Sequence, residues 1–306
     1  MSLTMEVIKI TIIIVTWLCG SILNSSIVAV YLRDWKNGMS LGECDRTILS
    51  MGCNNLLLQG CLSVSEFINI FQLYRLFFKE FTVLGCILFL FLSYLSMWLT
   101  VCLSICYCVK LANISHGLFV RLKRGISTAS TLFLFGSVKM LFFINVIKIT
   151  YLIVTWLSEF LQNTTVSAEN FLFKMDLRFM SFNVVIGSCV PVLVTSVCMG
   201  FSVMSLLRHV QRMKNNTSQS WNPQSKSHVR ACRTMSLLMI MNLIFFLAVI
   251  TVAMGLTKFN AIIARRIIYW LVVMASPSAE AIILILGNTK LKMALPKGLA
   301  YLFAKS

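Results

Sequence analysis

Seven stretches of this sequence run almost without charge for long enough to cross a lipid bilayer, at roughly residues 7–32, 47–70, 81–109, 127–153, 180–207, 235–257 and 266–288. A helix needs about 20 mainly apolar residues to traverse a hydrocarbon core of about 30 Å. Inside that core only a helix or a closed barrel satisfies its own backbone. Barrel strands would be about ten residues long and alternate in polarity, so these runs predict helices. The predicted fold is all-α, a single seven-transmembrane helix bundle over residues 1–306. Composition excludes a water-soluble alternative: 58% of the residues are hydrophobic and 12% charged, against about 25% charged in a soluble domain. The first run is longer than a signal-peptide core and is flanked by Glu6 instead of a basic cluster, which favours a retained span.

The formal net charge of +17 would raise the question of nucleic acid in a soluble chain. Here the basic residues gather between the apolar runs, which reads as topology and as contact with anionic membrane lipid, not as a nucleic-acid surface. With the N-terminus outside, 17 Lys and Arg fall on the cytoplasmic side and 8 on the outer side. The positive-inside rule therefore predicts N-terminus outside, C-terminus cytoplasmic. Asn-x-Ser/Thr sequons stand at Asn24, Asn113, Asn163, Asn215 and Asn216. Only Asn163 falls in an outer loop of this topology, so it is the expected glycosylation site.

Eleven cysteines include no CxxC pair, so neither a disulfide scaffold nor a zinc site is indicated. No carboxylate pair, Ser–His–Asp set or Gly-rich phosphate loop stands out, and all three histidines, His116, His209 and His228, lie near the expected inner face. The chain is expected not to be an enzyme, and to need no metal and no cofactor.

Four spaced motifs carry a family resemblance. The third span ends Leu103-Ser104-Ile105-Cys106-Tyr107-Cys108-Val109-Lys110-Leu111-Ala112-Asn113-Ile114-Ser115, which resembles the LSxFYxxKIANFS segment of type 2 (bitter) taste receptors, a family of G-protein-coupled receptors. Ser205-Leu206-Leu207-Arg208-His209-Val210-Gln211-Arg212-Met213 is similar to that family's SLxxHxxxM, and Asn222-Pro223-Gln224-Ser225-Lys226-Ser227-His228-Val229-Arg230-Ala231 to its DPSTKAHxxA. The last span closes Ile283-Leu284-Ile285-Leu286-Gly287-Asn288-Thr289-Lys290-Leu291-Lys292, against ILILGNxKLK, and Gly20 and Asn24 match GxxxN in the first span. Vomeronasal type 1 receptors are the nearest competing family, and a small-molecule transporter is the alternative of another class. Seven spans without an inverted repeat weigh against the transporter.

The resemblance implies a chemosensory receptor of the plasma membrane that binds small, mainly apolar bitter compounds and activates a heterotrimeric G protein of the gustducin or inhibitory type. By motif offset, the ligand positions fall on Phe89 and Ser93, with Tyr94, Asn183, Phe245, Phe246, Trp270 and Val273 added by depth. The G-protein surface maps onto Lys110, Arg121, His209, Met213, Lys226, His228 and Arg230. Two departures stand out: the family's Ser-Arg in the second span is Asn54-Asn55 here, and its His-Ser in the seventh is Glu280-Ala281. Asn24, Asn55 and Glu280 are thus expected to form an interhelical polar cluster without an arginine. An ionised Glu280 there is costly unless neutralised or hydrated.

The topology makes one direct forecast. Peptide glycosidase is expected to shift the mobility of the wild-type chain but not of Asn163→Gln; a shift that persists in the variant contradicts the orientation.

Overall fold

In a computed structural model, the structure describes residues 3–71, 79–111, 136, 187, 189–215, 223–253 and 262–294. These form α1 (Leu3–Lys36), α2 (Glu43–Ile70), α3 (Lys79–Leu111), α4 (Val190–Asn215), α5 (Pro223–Ala253), α6 (Ile262–Gly287) and a short α7 (Thr289–Ala294). No strand occurs among the described residues, so the all-helical class expected from the sequence holds there. The expected span 127–153, of which only residue 136 is described, lies otherwise outside them, as do Arg121, Asn163 and Asn183.

Four helical segments, Val7–Lys36, Leu88–Lys110, Val229–Ala248 and Trp270–Gly287, are long and apolar enough to cross a membrane. The first of these, in α1, and the shorter apolar stretch Val190–Ser205 of α4 are apolar outward as well as inward. Ile14, Leu18 and Ile22 of α1 and Leu193, Val197, Phe201 and Met204 of α4 are all exposed. That is the surface of a helix whose solvent is hydrocarbon. α2 fails the same apolarity test for a structural reason: Thr47, Asn54, Asn55 and Gln59 are polar and buried, while Leu57, Val64 and Phe67 are exposed. Its polar face is turned into the bundle, where amides and hydroxyls find partners that lipid does not offer.

The helices pack around a shared interior. α1 lies against α2 and α6, α3 against α2, α4 and α5, and α5 against α4 and α6. One apolar cluster holds Leu23, Ile27, Tyr31, Ile48, Met51, Leu99, Leu103, Leu238, Leu284 and Ile285. A second, toward the start of α3 and α6, holds Leu58, Leu62, Leu92, Phe245, Trp270, Val273 and Met274. Among the described residues three glycines permit close approach, Gly187 against the Tyr94 ring and two others between the packed helices. A Cβ at Gly287 would strike the Thr234 side chain of α5, and one at Gly20 would strike Gln59 and Ser278.

Helix ends at one pole of the bundle are fixed by local chemistry. α1 stops in a Schellman motif: Gly38 takes φ +77°, its N–H donates to Trp35 O at 3.0 Å and Met39 N–H donates to Asp34 O at 3.1 Å. α7 starts with Asn288 as its cap, Oδ1 accepting from Lys290 N at 2.9 Å. The same Asn288 donates through Nδ2 to the Tyr31 hydroxyl at 2.8 Å, and Tyr31 is wholly buried. Lys290 Nζ then sits 2.8 Å from Asp34 Oδ2 and 3.7 Å from Asp45 Oδ2, and 5.1 Å from the centre of the Tyr31 ring. One Asn-Thr-Lys step therefore ties the ends of α1, α2 and α6 together.

The start of α5 differs from the sequence expectation. An apolar run from 235 places Lys226, His228 and Arg230 in a loop, yet the helix begins at Pro223. Proline suits a first helical turn because its missing N–H has no partner there in any case. The next residues carry no second breaker, so the helix extends about three turns beyond the apolar run.

Lys290→Ala is expected to lower stability by about 1–3 kcal/mol, because Asp34 is left buried without its cation. The half-exposed ammonium keeps the loss below that of a fully buried pair. Adding Asp34→Asn should restore part of the loss in a thermal or denaturant series; an unaffected single variant contradicts the tie. The hydrogen bond to Asp34 holds the Lys290 ammonium above the ordinary lysine range. Its contribution is therefore complete at neutral pH and disappears only as pH rises through that raised value.

Candidate functional site

α3, α5 and α6 bring Phe89, Phe245, Trp270 and Val273 toward one pole of the bundle, and α3 and α5 bring Lys110 and Arg230 to the other, with buried polar groups between. At the apolar pole, four of the sequence-predicted ligand positions meet. Phe245, Trp270 and Val273 belong to one buried cluster and Phe89 packs against it from α3. The Phe89 and Phe245 ring centres are 6.3 Å apart at 55°, a tilted pairing within the range favoured by the ring quadrupoles. Trp270 is 6% exposed, and its Nε1–H has no hydrogen-bond partner among the described residues. An indole donor normally finds an acceptor when buried. Here it is an unspent polar contact within an apolar wall.

The other ligand candidates are placed differently. Ser93 is buried one turn from Phe89, but its Oγ–H donates to Phe89 O at 2.7 Å. What remains on that hydroxyl is acceptor capacity. Tyr94 is half-buried and its ring lies over Gly187, at the approach to α4, not in the Phe89 cluster. Phe246 is half-buried beside Phe245 but outside the cluster. Leu58, Leu62, Leu92 and Met274 complete the wall and were not singled out by sequence; the only signal for them is that they are apolar at helical spacing.

The middle layer holds Glu280, 2% exposed. Its two carboxylate oxygens accept from Ser96 Oγ at 3.1 and 3.0 Å. Asn24 donates through Nδ2 to Gly20 O at 2.9 Å and to Pro277 O at 3.2 Å. Asn55 is fully buried and lies beside the Glu280 carboxylate, but neither its Oδ1 nor its Nδ2 makes a hydrogen bond among the described residues. Asn54 donates to Leu92 O at 3.2 Å, and Asn242 donates to Thr100 Oγ1 at 2.9 Å, joining α5 to α3. Ser96 was not anticipated. Nothing in sequence spacing pairs a serine with a glutamate 184 residues away.

At the basic pole, Lys110 is exposed at the end of α3 and Arg230 is exposed near the start of α5. His209 and Met213 stand in the last turns of α4, and Lys226 and His228 in the first turns of α5. Beside Lys110 a cleft of about 320 Å³ is lined by Gly42, Glu43, Cys44, Asp45, Cys106 and Val109. It lies at the opposite pole from the Phe89 cluster. Among the described residues no group of three or more His, Cys, Asp and Glu is arranged to hold a metal.

Comparison with known proteins identifies the family. Residues 1–302 match the family described as taste receptor protein, TAS2R. The sequence is 27% identical to taste receptor type 2 member 13 of Pan troglodytes over 299 residues, covering 96% of each chain. It is 26% identical to the Homo sapiens member 13 with the same coverage. Taste receptor type 2 member 4 of Pan troglodytes is 26% identical over 284 residues, 92% of this chain and 93% of that one. The match spans nearly the whole chain, and the chain belongs to the TAS2R taste receptor family.

Proposed function

We propose that the chain is a single-domain, seven-span receptor of the plasma membrane, N-terminus outside and C-terminus cytoplasmic, which binds small, mainly apolar bitter compounds and activates a heterotrimeric G protein of the gustducin or inhibitory type. The observation that carries the ligand reading is the convergence of Phe89, Phe245, Trp270 and Val273 on one apolar cluster containing a buried indole N–H that has no partner among the described residues. Pockets for small molecules combine apolar walls with a few placed polar groups. An acceptor atom on an apolar ligand satisfies the Trp270 donor while its body displaces side-chain contacts. Ser93 adds to the rim of the same site; Tyr94, Phe246 and Asn183 are kept as ligand positions on the family resemblance alone.

Coupling belongs to the opposite pole. Lys110, His209, Met213, Lys226, His228 and Arg230 supply a polar rim for a helix of the G protein, whose apolar anchors enter between α3, α4 and α5; Arg121 joins them on the family resemblance alone. Ligand at one pole acts on the other by binding one arrangement of the bundle more tightly, shifting an equilibrium that exists without it. Glycosylation at Asn163 fits the outward orientation of the ligand pole.

Two sets of variants test the assignment. Phe89→Trp strengthens attraction to a cationic ligand by about 0.5–2 kcal/mol. Ser93→Asn adds a donor where the present hydroxyl has already spent its own. Together they should widen the response toward polar and amine bitterants, and a shift of about 1.4 kcal/mol reads as tenfold in dose–response curves. Unchanged ligand ranking in a normally expressed double variant contradicts the pocket. Lys110→Ala and His209→Ala should reduce G-protein activation while surface expression and ligand occupancy stay near wild type. Parallel loss of signalling and surface protein would assign these side chains to folding instead.

A further inference from the structure

The middle of the bundle holds one carboxylate and two buried amide oxygens that no donor reaches among the described residues. Glu280 accepts the Ser96 hydroxyl, shared between its two oxygens, and has the Asn55 side-chain amide beside it. Among the described residues no Lys or Arg pairs with it: the recorded ion pairs are Arg46–Glu43, Lys290–Asp34 and Lys290–Asp45. Asn55, wholly buried and beside the carboxylate, has its Nδ2 as a donor available to Glu280 alone, and its amide oxygen is left without a partner among the described residues. Asn24, also wholly buried, spends both N–H groups on Gly20 O and Pro277 O, and its Oδ1 is unpartnered as well. Pro277 is one turn before Glu280 on α6, so Asn24 meets α6 next to the carboxylate.

We infer that Glu280, Ser96 and the amide oxygens of Asn55 and Asn24 form a binding site for a small monovalent cation of the sodium type at the centre of the bundle. The donor set fits on charge and on atom type. One carboxylate with neutral amide and hydroxyl oxygens balances a single positive charge, whereas calcium sites draw on several carboxylates among six to eight oxygens. Hard oxygen donors select a hard, non-transition cation. A proton fits less completely: a carboxylic acid has one O–H and would satisfy one of the two free amide oxygens, leaving the other buried without a partner. A water molecule supplies two donors but no charge, and an ionised carboxylate unpaired in the membrane interior is costly. A cation answers the charge and both orphaned oxygens together, and it joins α1, α2, α3 and α6 through one point.

Thermal unfolding of the purified full-length receptor in lipid nanodiscs tests this, with sodium chloride exchanged for N-methyl-D-glucamine chloride at constant ionic strength. A ligand that binds only the folded state raises the midpoint in a saturable, concentration-dependent way. Sodium should raise the wild-type midpoint by about 2–4 °C, and Glu280→Gln should remove the response. Asn55→Arg is the second variant: its guanidinium takes the place of the cation beside Glu280, so this protein should fold and be insensitive to sodium even where Glu280→Gln does not accumulate. A wild-type midpoint that is the same in both salts overturns the site in favour of a proton or water. A sodium response that survives Asn55→Arg overturns it by placing the cation elsewhere.

Discussion

Every polar side chain in the interior of this protein answers to one constraint: lipid offers no hydrogen bonds, so the bundle must supply them. α2 shows the consequence most plainly. Asn54, Asn55 and Gln59 are buried while Leu57 and Val64 face outward, the reverse of a helix on a water-soluble domain. Hydroxyls solve the problem locally. Thr16, Ser26, Thr47, Ser93, Thr100, Ser104 and Ser202 each donate to the carbonyl four residues earlier on their own helix, so they need no partner helix. Amides and carboxylates are larger and carry more unmet capacity. They become the points where helices are joined: Asn24 to α6, Asn242 to α3, Glu280 to Ser96.

The motif at the close of α6 gains a physical meaning from the same constraint. Gly287 admits Thr234 of α5, Asn288 caps α7 and holds Tyr31, and Lys290 neutralises Asp34 while reaching Asp45. Each residue acts on a different neighbour. The pole that carries Lys110 and Arg230 is thereby tied through α1, α2, α5 and α6, while the Phe89–Trp270 pole is held mainly by apolar contacts. Such contacts are non-directional, whereas the ties at the other pole are directional hydrogen bonds and an ion pair to a buried carboxylate.

Helical class was legible in the sequence because a run of apolar residues encodes a span directly. α1 and α3 are described across the runs at 7–32 and 81–109 and extend a few residues past them. The beginning of α5 was not legible, since Pro223 to Arg230 are polar and only their lack of breakers marks a helix. Phe89, Phe245, Trp270 and Val273 were reachable by counting from motifs, and they come together. Tyr94 was reached by the same counting and faces Gly187 instead, because depth along a helix does not fix the direction of a side chain around it. Ser96 and Asp34 were invisible: their partners, Glu280 and Lys290, lie at the far end of the chain, and pairing across that distance is a property of packing alone.

The central claim is that occupancy of the Phe89–Trp270 pole changes what the basic pole does to a G protein. Nucleotide exchange on a purified inhibitory-type heterotrimer, measured with the purified receptor in nanodiscs while a panel of apolar bitter compounds is titrated, tests it without interference from the cell. Exchange should rise saturably with at least one compound, and Trp270→Phe, which removes the indole donor and keeps an aromatic ring, should weaken the response to ligands bearing an acceptor. Ligand-dependent solute flux across a receptor-containing vesicle, with nucleotide exchange flat across the same panel, would contradict the account.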